Sequence, residues 1–423
     1  MSQQIVTRLL HTGSPEFDPD SGVAPVSVPT VRTSTVRFAS TAVQDEVLRR
    51  RRAGERISSY GRQGMDTHRA LEDAIMLLEG GTSCFLAPSG MAAISLAFLS
   101  LAGPGDHVLV VDSAYAPVRI LDRSLLRRLN VEVTYYRPCA GYGPDGQPHP
   151  GIGGPASAGS TGPHEIASLI RPNTRMIYAE SPGSLLFEMQ DIPAISQVAR
   201  SRGIPLVIDN TWGSGYLYRP LELGADVSVI AATKYLAGHS DVMLGAVVAR
   251  DRDIERRIHE CNYALGLTVG PDDASLVLRG MRTLHVRLAQ HERNALQVAR
   301  HLAQHPGIRR VWYPALESDP GHALWKRDYH GANGLLSVTL NTSDETTARR
   351  FIDALKLFGI GYSWGGYESL VSLGEQSALA QHSRWCDGNH QLVRLHVGLE
   401  AVDDLIADLD QALRAAGLDT GAA

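Results

Sequence analysis

PLVIDNTWGSGYLYRPLELGADVSVIAATKYLAGHSDVMLG, residues 205–245, holds two short apolar runs, each followed closely by a charged residue. Residues 205–208 contain β-branched Val207 and Ile208 and lie between Gly203-Ile204-Pro205 and Asp209-Asn210. Residues 227–231 form the second run and lead into Thr233-Lys234. Such runs between turn signals suit strands covered on both faces of a parallel sheet. Open α/β sheets take ligands outside the carboxyl ends of their strands. The spacing therefore predicts that Asp209 and Lys234 face one ligand site.

A carboxylate and an amine so placed can hold a charged aromatic cofactor between them. Pyridoxal phosphate needs that pair: a lysine for its aldehyde and a carboxylate that keeps its ring nitrogen protonated and electron-withdrawing. Lys234 would do the first job and Asp209 the second. Taken singly, Asp209 would read as a helix cap and Lys234 as a solvated side chain. The full string ATKYLAGHSDVMLG, residues 232–245, resembles the cofactor-lysine segment of the Cys/Met-metabolism family of pyridoxal-phosphate enzymes. It also sits in the strand-end context that the motif requires.

The bulk numbers are compatible with that reading. A chain of 423 residues is too long for one ordinary core and predicts two or three domains. Hydrophobic content of 43% and charged content of 20% are those of a soluble globular protein. A net charge of −5 makes no electrostatic case for nucleic acid or an anionic membrane. Cys84, Cys139, Cys261 and Cys386 lie far apart, without CxxC or Cys/His ligand spacing, so no metal site and a reducing compartment are expected. The first 22 residues lack an apolar signal core, and residues 91–102 are too short to span a bilayer. The expected location is the cytoplasm.

Residues 1–64 read as an extended arm rich in Pro, Ser and Thr, interrupted by a helical segment at 41–53. Its run Arg49-Arg50-Arg51-Arg52 has no aromatic interleaving and reads as a solvated helix face. Residues 67–78 predict an amphipathic helix that Thr67 can cap. Residues 83–87 predict a strand, and Pro88-Ser89-Gly90-Met91 then turns into an apolar helix. A strand, a glycine turn and a helix start make an anion site from free backbone N–H groups and the helix dipole, so Gly90 and Met91 are candidate phosphate donors. Residues 106–111 are the next strand, and Tyr115 beyond its end can stack on a pyridine ring. Residues 131–136 and 175–180 are further strands, with Ser181-Pro182-Gly183-Ser184 after the latter. A helix at 191–202 is capped by Asp191 and carries Pro193 in its first turn. This alternation predicts an α/β fold with a mostly parallel sheet.

Residues 139–163 are rich in Gly and Pro and contain a literal GxGxxG at 141–146. Pro144, Pro148 and Pro150 forbid the helix that a dinucleotide site needs, so the segment is expected to be a surface insertion. The second half predicts helices at 257–264 and 272–305, a strand at 335–340 and a helix at 346–355. A glycine-rich loop at 362–369, a strand at 392–397 bearing Arg394 and a closing helix at 403–415 follow, in a smaller α+β unit.

The resemblance extends from about residue 59 to 413. It implies a fold-type-I, pyridoxal-phosphate-dependent transferase-like architecture: an arm (1–64), a large domain with a seven-stranded sheet (65–281) and a small domain (282–423). It further implies that Tyr60 and Arg62 bind the cofactor phosphate of a neighbouring subunit, in a homotetramer of dimers that share active sites. Thr233 would join Gly90 and Met91 at the phosphate. Tyr115 would cover the ring and assist catalysis. Arg394 and Ser363 would bind the substrate carboxylate, with Trp364 and Tyr263 lining the rest of the substrate pocket.

Tyr362-Ser363-Trp364, Ser181-Pro182-Gly183-Ser184, Tyr115-Ala116-Pro117 and Asp209-Asn210-Thr211-Trp212 favour the β-acting lyases of the family over its γ-acting siblings. The implied reaction is β-elimination of L-cystathionine to homocysteine, pyruvate and ammonia, in methionine biosynthesis. Other cysteine S-conjugates, a γ-acting sibling, and a cofactor-binding regulator without catalysis stay open at this point.

Overall fold

The structure, a computed structural model, describes residues 4–142, 147–149 and 163–419. Its centre is a seven-stranded sheet built from β1 (Ser83–Ala87), β2 (His107–Val111), β3 (Glu132–Tyr136), β6 (Thr174–Glu180), β7 (Leu206–Asp209), β8 (Val227–Ile230) and β9 (Gly245–Ala249). Between β3 and β6, β4 (Gly141–Tyr142) and β5 (Pro148–His149) pair as a short antiparallel ladder. Most of the insertion expected at 139–163 lies outside the described residues.

The large sheet runs in the order β1-β9-β8-β7-β6-β2-β3. The steps from β8 through β7, β6 and β2 to β3 are parallel, and β9 alone runs antiparallel to its two neighbours. Every residue of β2, β7, β8 and β9 is buried, which explains why these strands show continuous apolar runs rather than alternation. Each Val or Ile so covered contributes roughly 1.5–3 kcal/mol. Helices Asp66–Glu79, Gly90–Leu101 and Ile192–Ser201 pack on this sheet.

The second half forms a five-stranded sheet from β10 (Ile308–Trp312), β11 (Leu335–Leu340), β12 (Gly359–Ile360), β13 (Leu370–Leu373) and β14 (Leu392–His396). Its order is β10-β11-β14-β13-β12, so Arg394 lies on the central strand. Buried links tie this unit to the large sheet. Asn333 Nδ2 donates to the Trp212 carbonyl at 2.9 Å, and the Gly334 N–H donates to the Tyr235 hydroxyl at 3.0 Å. Tyr329 stacks on Tyr218 at 4.1 Å, with the planes 1° apart.

Two local expectations are corrected. Thr67 does not cap its helix, which starts at Asp66 after Met65 and is held by Met65 N–H donating to His68 Nδ1 at 3.1 Å. The Thr67 hydroxyl instead ties down the arm, accepting from Val31 N at 2.9 Å and donating to the Pro29 carbonyl at 2.8 Å. The single helix expected at 272–305 is two, Pro271–Met281 and Leu284–Ala303. The first closes with i→i−3 turns from Arg282 and Thr283, while the Arg282 guanidinium is drawn to the Thr12 carbonyl of the arm at 2.7 Å. The apolar periodicity continues across that bend, so composition did not reveal it. In the arginine run Arg49 pairs with Glu46 at 2.6 Å and Arg50 with Glu55 on the solvated face expected, whereas Arg51 is half-buried and donates to Ser59 Oγ.

Candidate active site

Asp209 ends β7 and lies directly opposite Glu180, the last residue of β6, in the parallel register. Its carboxylate is buried, with Oδ1 accepting from the Thr211 N–H at 3.0 Å and Oδ2 from the Tyr178 hydroxyl at 3.2 Å. Burial raises its pKa above the usual carboxylate range, while Thr211, Tyr178 and the charge of Lys234 pull it down. A carboxylate gripped on both oxygens in a dry wall is poised to gain from a cation.

Lys234 follows β8 on the neighbouring strand end. Its Nζ donates to Ser363 Oγ and stands 5.1 Å from the centre of the Trp364 ring. Burial first, and the charge of Arg394 second, lower its pKa to about 8. Ser363 is held at φ 79°, a conformation uncommon for residues with a side chain. Two residues on, Gly365 sits at φ 92°, and a Cβ there would meet Lys234 Cα at 2.9 Å. The loop therefore lies directly on the lysine segment, and a glycine permits that approach. Arg394 reaches the same loop from β14, with Nη2 donating to the Ser363 carbonyl at 3.3 Å. Trp364 packs on Tyr235 with ring centres 5.5 Å apart.

Helix Gly90–Leu101 begins at the end of β1. Ser89 caps it, its hydroxyl accepting from Ala92 N at 3.1 Å and its carbonyl from Ala93 N at 3.0 Å. The N–H groups of Gly90 and Met91 belong to the first turn, where the helix supplies no acceptor. A Cβ on Gly90 would lie 2.6 Å from Ala231 Cβ, so this helix start is pressed against the strand end that carries Lys234. The Thr233 hydroxyl lies in the same region but is engaged with Leu244, donating to its carbonyl at 3.1 Å and accepting from its N–H at 2.9 Å. Tyr115 is partly exposed, and its backbone N–H donates to Glu180 Oε2 at 2.7 Å.

Tyr60, Arg62 and Tyr263 are placed differently. The Arg62 guanidinium lies 4.6 Å above the Tyr263 ring and Nη1 donates to the Tyr263 carbonyl at 3.3 Å. Tyr60 bridges to Thr35 within the arm and is partly exposed. Among the described residues, none of the three hydrogen-bonds to Asp209, Lys234 or Arg394.

Tyr178, Glu180 and Thr211 were not singled out from the sequence. Thr211 grips Asp209 and also accepts from Ala231 N at 2.9 Å, joining the ends of β7 and β8. The available signal was the string YAE at 178–180, a tyrosine and a glutamate two apart at the carboxyl end of a buried strand, hence on one face. Among the described residues there is no cluster of His, Cys, Asp or Glu able to hold a metal, and no helix long and apolar enough to cross a membrane. All four cysteines are free thiols.

A lysine and a carboxylate on neighbouring strand ends, beside a helix start that offers N–H groups, define a pyridoxal-phosphate enzyme on a mostly parallel α/β sheet. The donors present are of the kind this cofactor takes: a buried carboxylate at Asp209, an amine at Lys234, and N–H groups in the first helical turn at Gly90 and Met91. The chain belongs to the Cys/Met metabolism PLP-dependent enzyme family, whose sequence model covers residues 7–414. It is 53% identical to a cystathionine beta-lyase of Bordetella avium over 97% of this chain and 98% of that one. It is 40% identical to the cystathionine beta-lyase MetC of Escherichia coli K12, over 90% and 91% respectively. Among solved structures, the cystathionine gamma synthase of Xanthomonas oryzae in complex with cystathionine matches with a TM-score of 0.84 at 31% identity, covering 99% of this chain and 100% of that one.

Proposed function

We propose that this chain is a carbon–sulfur lyase that cleaves L-cystathionine by β-elimination to homocysteine, pyruvate and ammonia. The observation that carries the chemistry is Lys234, a half-buried amine held by Ser363, with its pKa lowered to about 8 by desolvation and the charge of Arg394. The choice of L-cystathionine and of the β-position rests on the 53% identity to the Bordetella avium enzyme over nearly the whole of both chains.

When bound, pyridoxal phosphate supplies an electron sink for the substrate's α-carbon. Asp209 holds the ring nitrogen protonated and so keeps that sink open. Gly90 and Met91 N–H groups would hold its phosphate, and the Thr233 hydroxyl would join them by turning from Leu244. Arg394 binds the substrate carboxylate through its planar fork, and Ser363 adds a hydrogen bond. Lys234, as the neutral amine, removes the α-proton. The Cβ–S bond then breaks, the thiolate leaves with a proton as homocysteine, and water converts the three-carbon remainder to pyruvate and ammonia. Tyr115 would cover the ring, and Trp364 walls the side of the site that holds Lys234.

Among the described residues the Arg62–Tyr263 pair and Tyr60 make no hydrogen bond to Asp209, Lys234 or Arg394, and on this reading they complete the site of a neighbouring subunit in a homotetramer of active-site-sharing dimers. On this reading the arm is 1–64, the cofactor domain 65–281 and the small domain 282–423, in a cytoplasmic protein. Incubation with L-cystathionine, assaying 2-oxo acid and free thiol together, tests the activity. Pyruvate with homocysteine is expected. 2-Oxobutyrate with cysteine would place the chain among the γ-acting enzymes instead.

A further inference from the structure

Glu180 is a second carboxylate beside Asp209 that the reaction above does not use. It ends β6, and both its oxygens are occupied: Oε2 accepts from the Tyr115 N–H at 2.7 Å and Oε1 from Ser184 Oγ at 2.9 Å. Its backbone carbonyl is held in turn by Gln190 Nε2 at 2.8 Å. Tyr115 lies in the loop after β2, and Ser184 in the loop after β6. A third bond joins these loops, with Ser184 N–H donating to the Ser113 carbonyl at 2.8 Å. A Cβ on Gly183 would meet the Ser113 hydroxyl oxygen at 2.5 Å, so the two loops are in close contact.

We propose that Glu180 is a positioning residue that fixes Tyr115 over the cofactor by holding its backbone N–H. The Tyr115 ring is partly exposed and its hydroxyl has no hydrogen bond among the described residues, so hydrogen bonds hold this residue by its backbone alone. Tyr115 follows β2 by four residues and takes no part in the sheet ladder. The short bond from Glu180 therefore does for this loop what a ladder bond does within the sheet.

A glutamate suits this place. One carboxyl group presents two acceptor oxygens in a plane, one for each loop. Burial and the neighbouring Asp209 both push the Glu180 pKa well above the usual range. With a proton, Glu180 still accepts from the Tyr115 N–H through its carbonyl oxygen, and it can donate to Ser184 in place of accepting. The staple thus works in either protonation state. A glutamine shares that pattern, having one acceptor oxygen and one donor nitrogen, whereas an alanine leaves the Tyr115 N–H without its acceptor.

The inference rests on the reading of Tyr115 as the ring-covering residue, and the test separates the two. Cofactor affinity is measured by titrating pyridoxal phosphate into the cofactor-free form of the full-length oligomer, and amide exchange is followed in the segment 112–118 before and after loading. Glu180→Ala is expected to speed exchange at Tyr115 and to weaken affinity roughly tenfold, through loss of the acceptor that holds the Tyr115 N–H. Glu180→Gln is expected to restore both to within about threefold. If Glu180→Ala does not fold, Glu180→Met, of similar length and without an acceptor, carries the same expectation. Unchanged exchange and affinity in Glu180→Ala, beside weakened affinity in Tyr115→Ala, would overturn the positioning role and leave Tyr115's role intact. Faster exchange with unchanged affinity in both variants would overturn the role of Tyr115, and the proposal with it. A glutamine variant as impaired as the alanine variant would also overturn it, since charge would then matter and the hydrogen bond would not.

Discussion

Arg394 is expected to bind substrate and also to tune Lys234 before any substrate arrives. Burial is the larger cause that lowers the Lys234 pKa to about 8, and the charge of Arg394 is the next. At pH 8 a group with that pKa is half unprotonated, against roughly 0.4% for an ordinary lysine at about 10.4. The difference in available base is on the order of a hundredfold, or about 3 kcal/mol at ~1.4 kcal/mol per pH unit. Replacing Arg394 with Gln keeps a side chain of similar reach and removes the charge. The sign follows: with a positive neighbour gone, the ammonium form of Lys234 is less disfavoured, so its pKa rises. It stays below the ordinary value, because burial is unchanged. The assay is the rate of cofactor uptake by the cofactor-free protein between pH 6 and pH 10, which follows the neutral amine. The native midpoint is expected near 8, with the Arg394→Gln midpoint above it. A midpoint that stays put or moves down would refute the electrostatic argument, whatever the effect on turnover.

Lys234→Ala is expected to abolish turnover of L-cystathionine and the covalent retention of cofactor, read by product assay and by absorbance after dialysis; residual turnover without added amine would contradict its role as base. Gly90→Ala forces a Cβ to within 2.6 Å of Ala231 Cβ, and such overpacking is expected to cost about 1–3 kcal/mol in urea unfolding and to weaken cofactor binding by shifting the helix start. Arg62→Ala should lower cofactor retention, and mixing it with Lys234→Ala subunits should restore up to roughly a quarter of native activity, since a random two-fold mixture rebuilds one intact site in each hybrid pair. The absence of any restoration would refute a shared site. Native activity is expected to rise with pH towards 8, as Lys234 loses its proton, and a profile flat from pH 6 to pH 9 would argue that a different group takes the α-proton.

Much of the site was legible in the chain because its signals are local. Asp209 and Lys234 follow short apolar runs, and the burial of β7 and β8 on both faces is what those runs record. Gly90 was legible as the turn between a strand and an apolar helix, although the reason no other residue fits, the approach of Ala231, was not. Glu180 and Tyr178 were missed because their importance lies in register: only the pairing of β6 with β7 sets Glu180 opposite Asp209. The bend at Arg282–Thr283 was missed because the apolar periodicity passes through it unbroken.

By itself the sequence determined the strand and helix alternation, the strand-end placement of the aspartate and the lysine, and through the string at 232–245 the family. These depend on periodicity and turn chemistry, which neighbouring residues carry. The tertiary structure decided what Lys234 is chemically. Ser363 stands 129 positions away in the chain and meets the lysine directly, while Arg394, on the other sheet, holds the Ser363 carbonyl and acts on the lysine through its charge. Burial and charge act through distance in space, so a pKa lowered to about 8 exists only once the two sheets have docked.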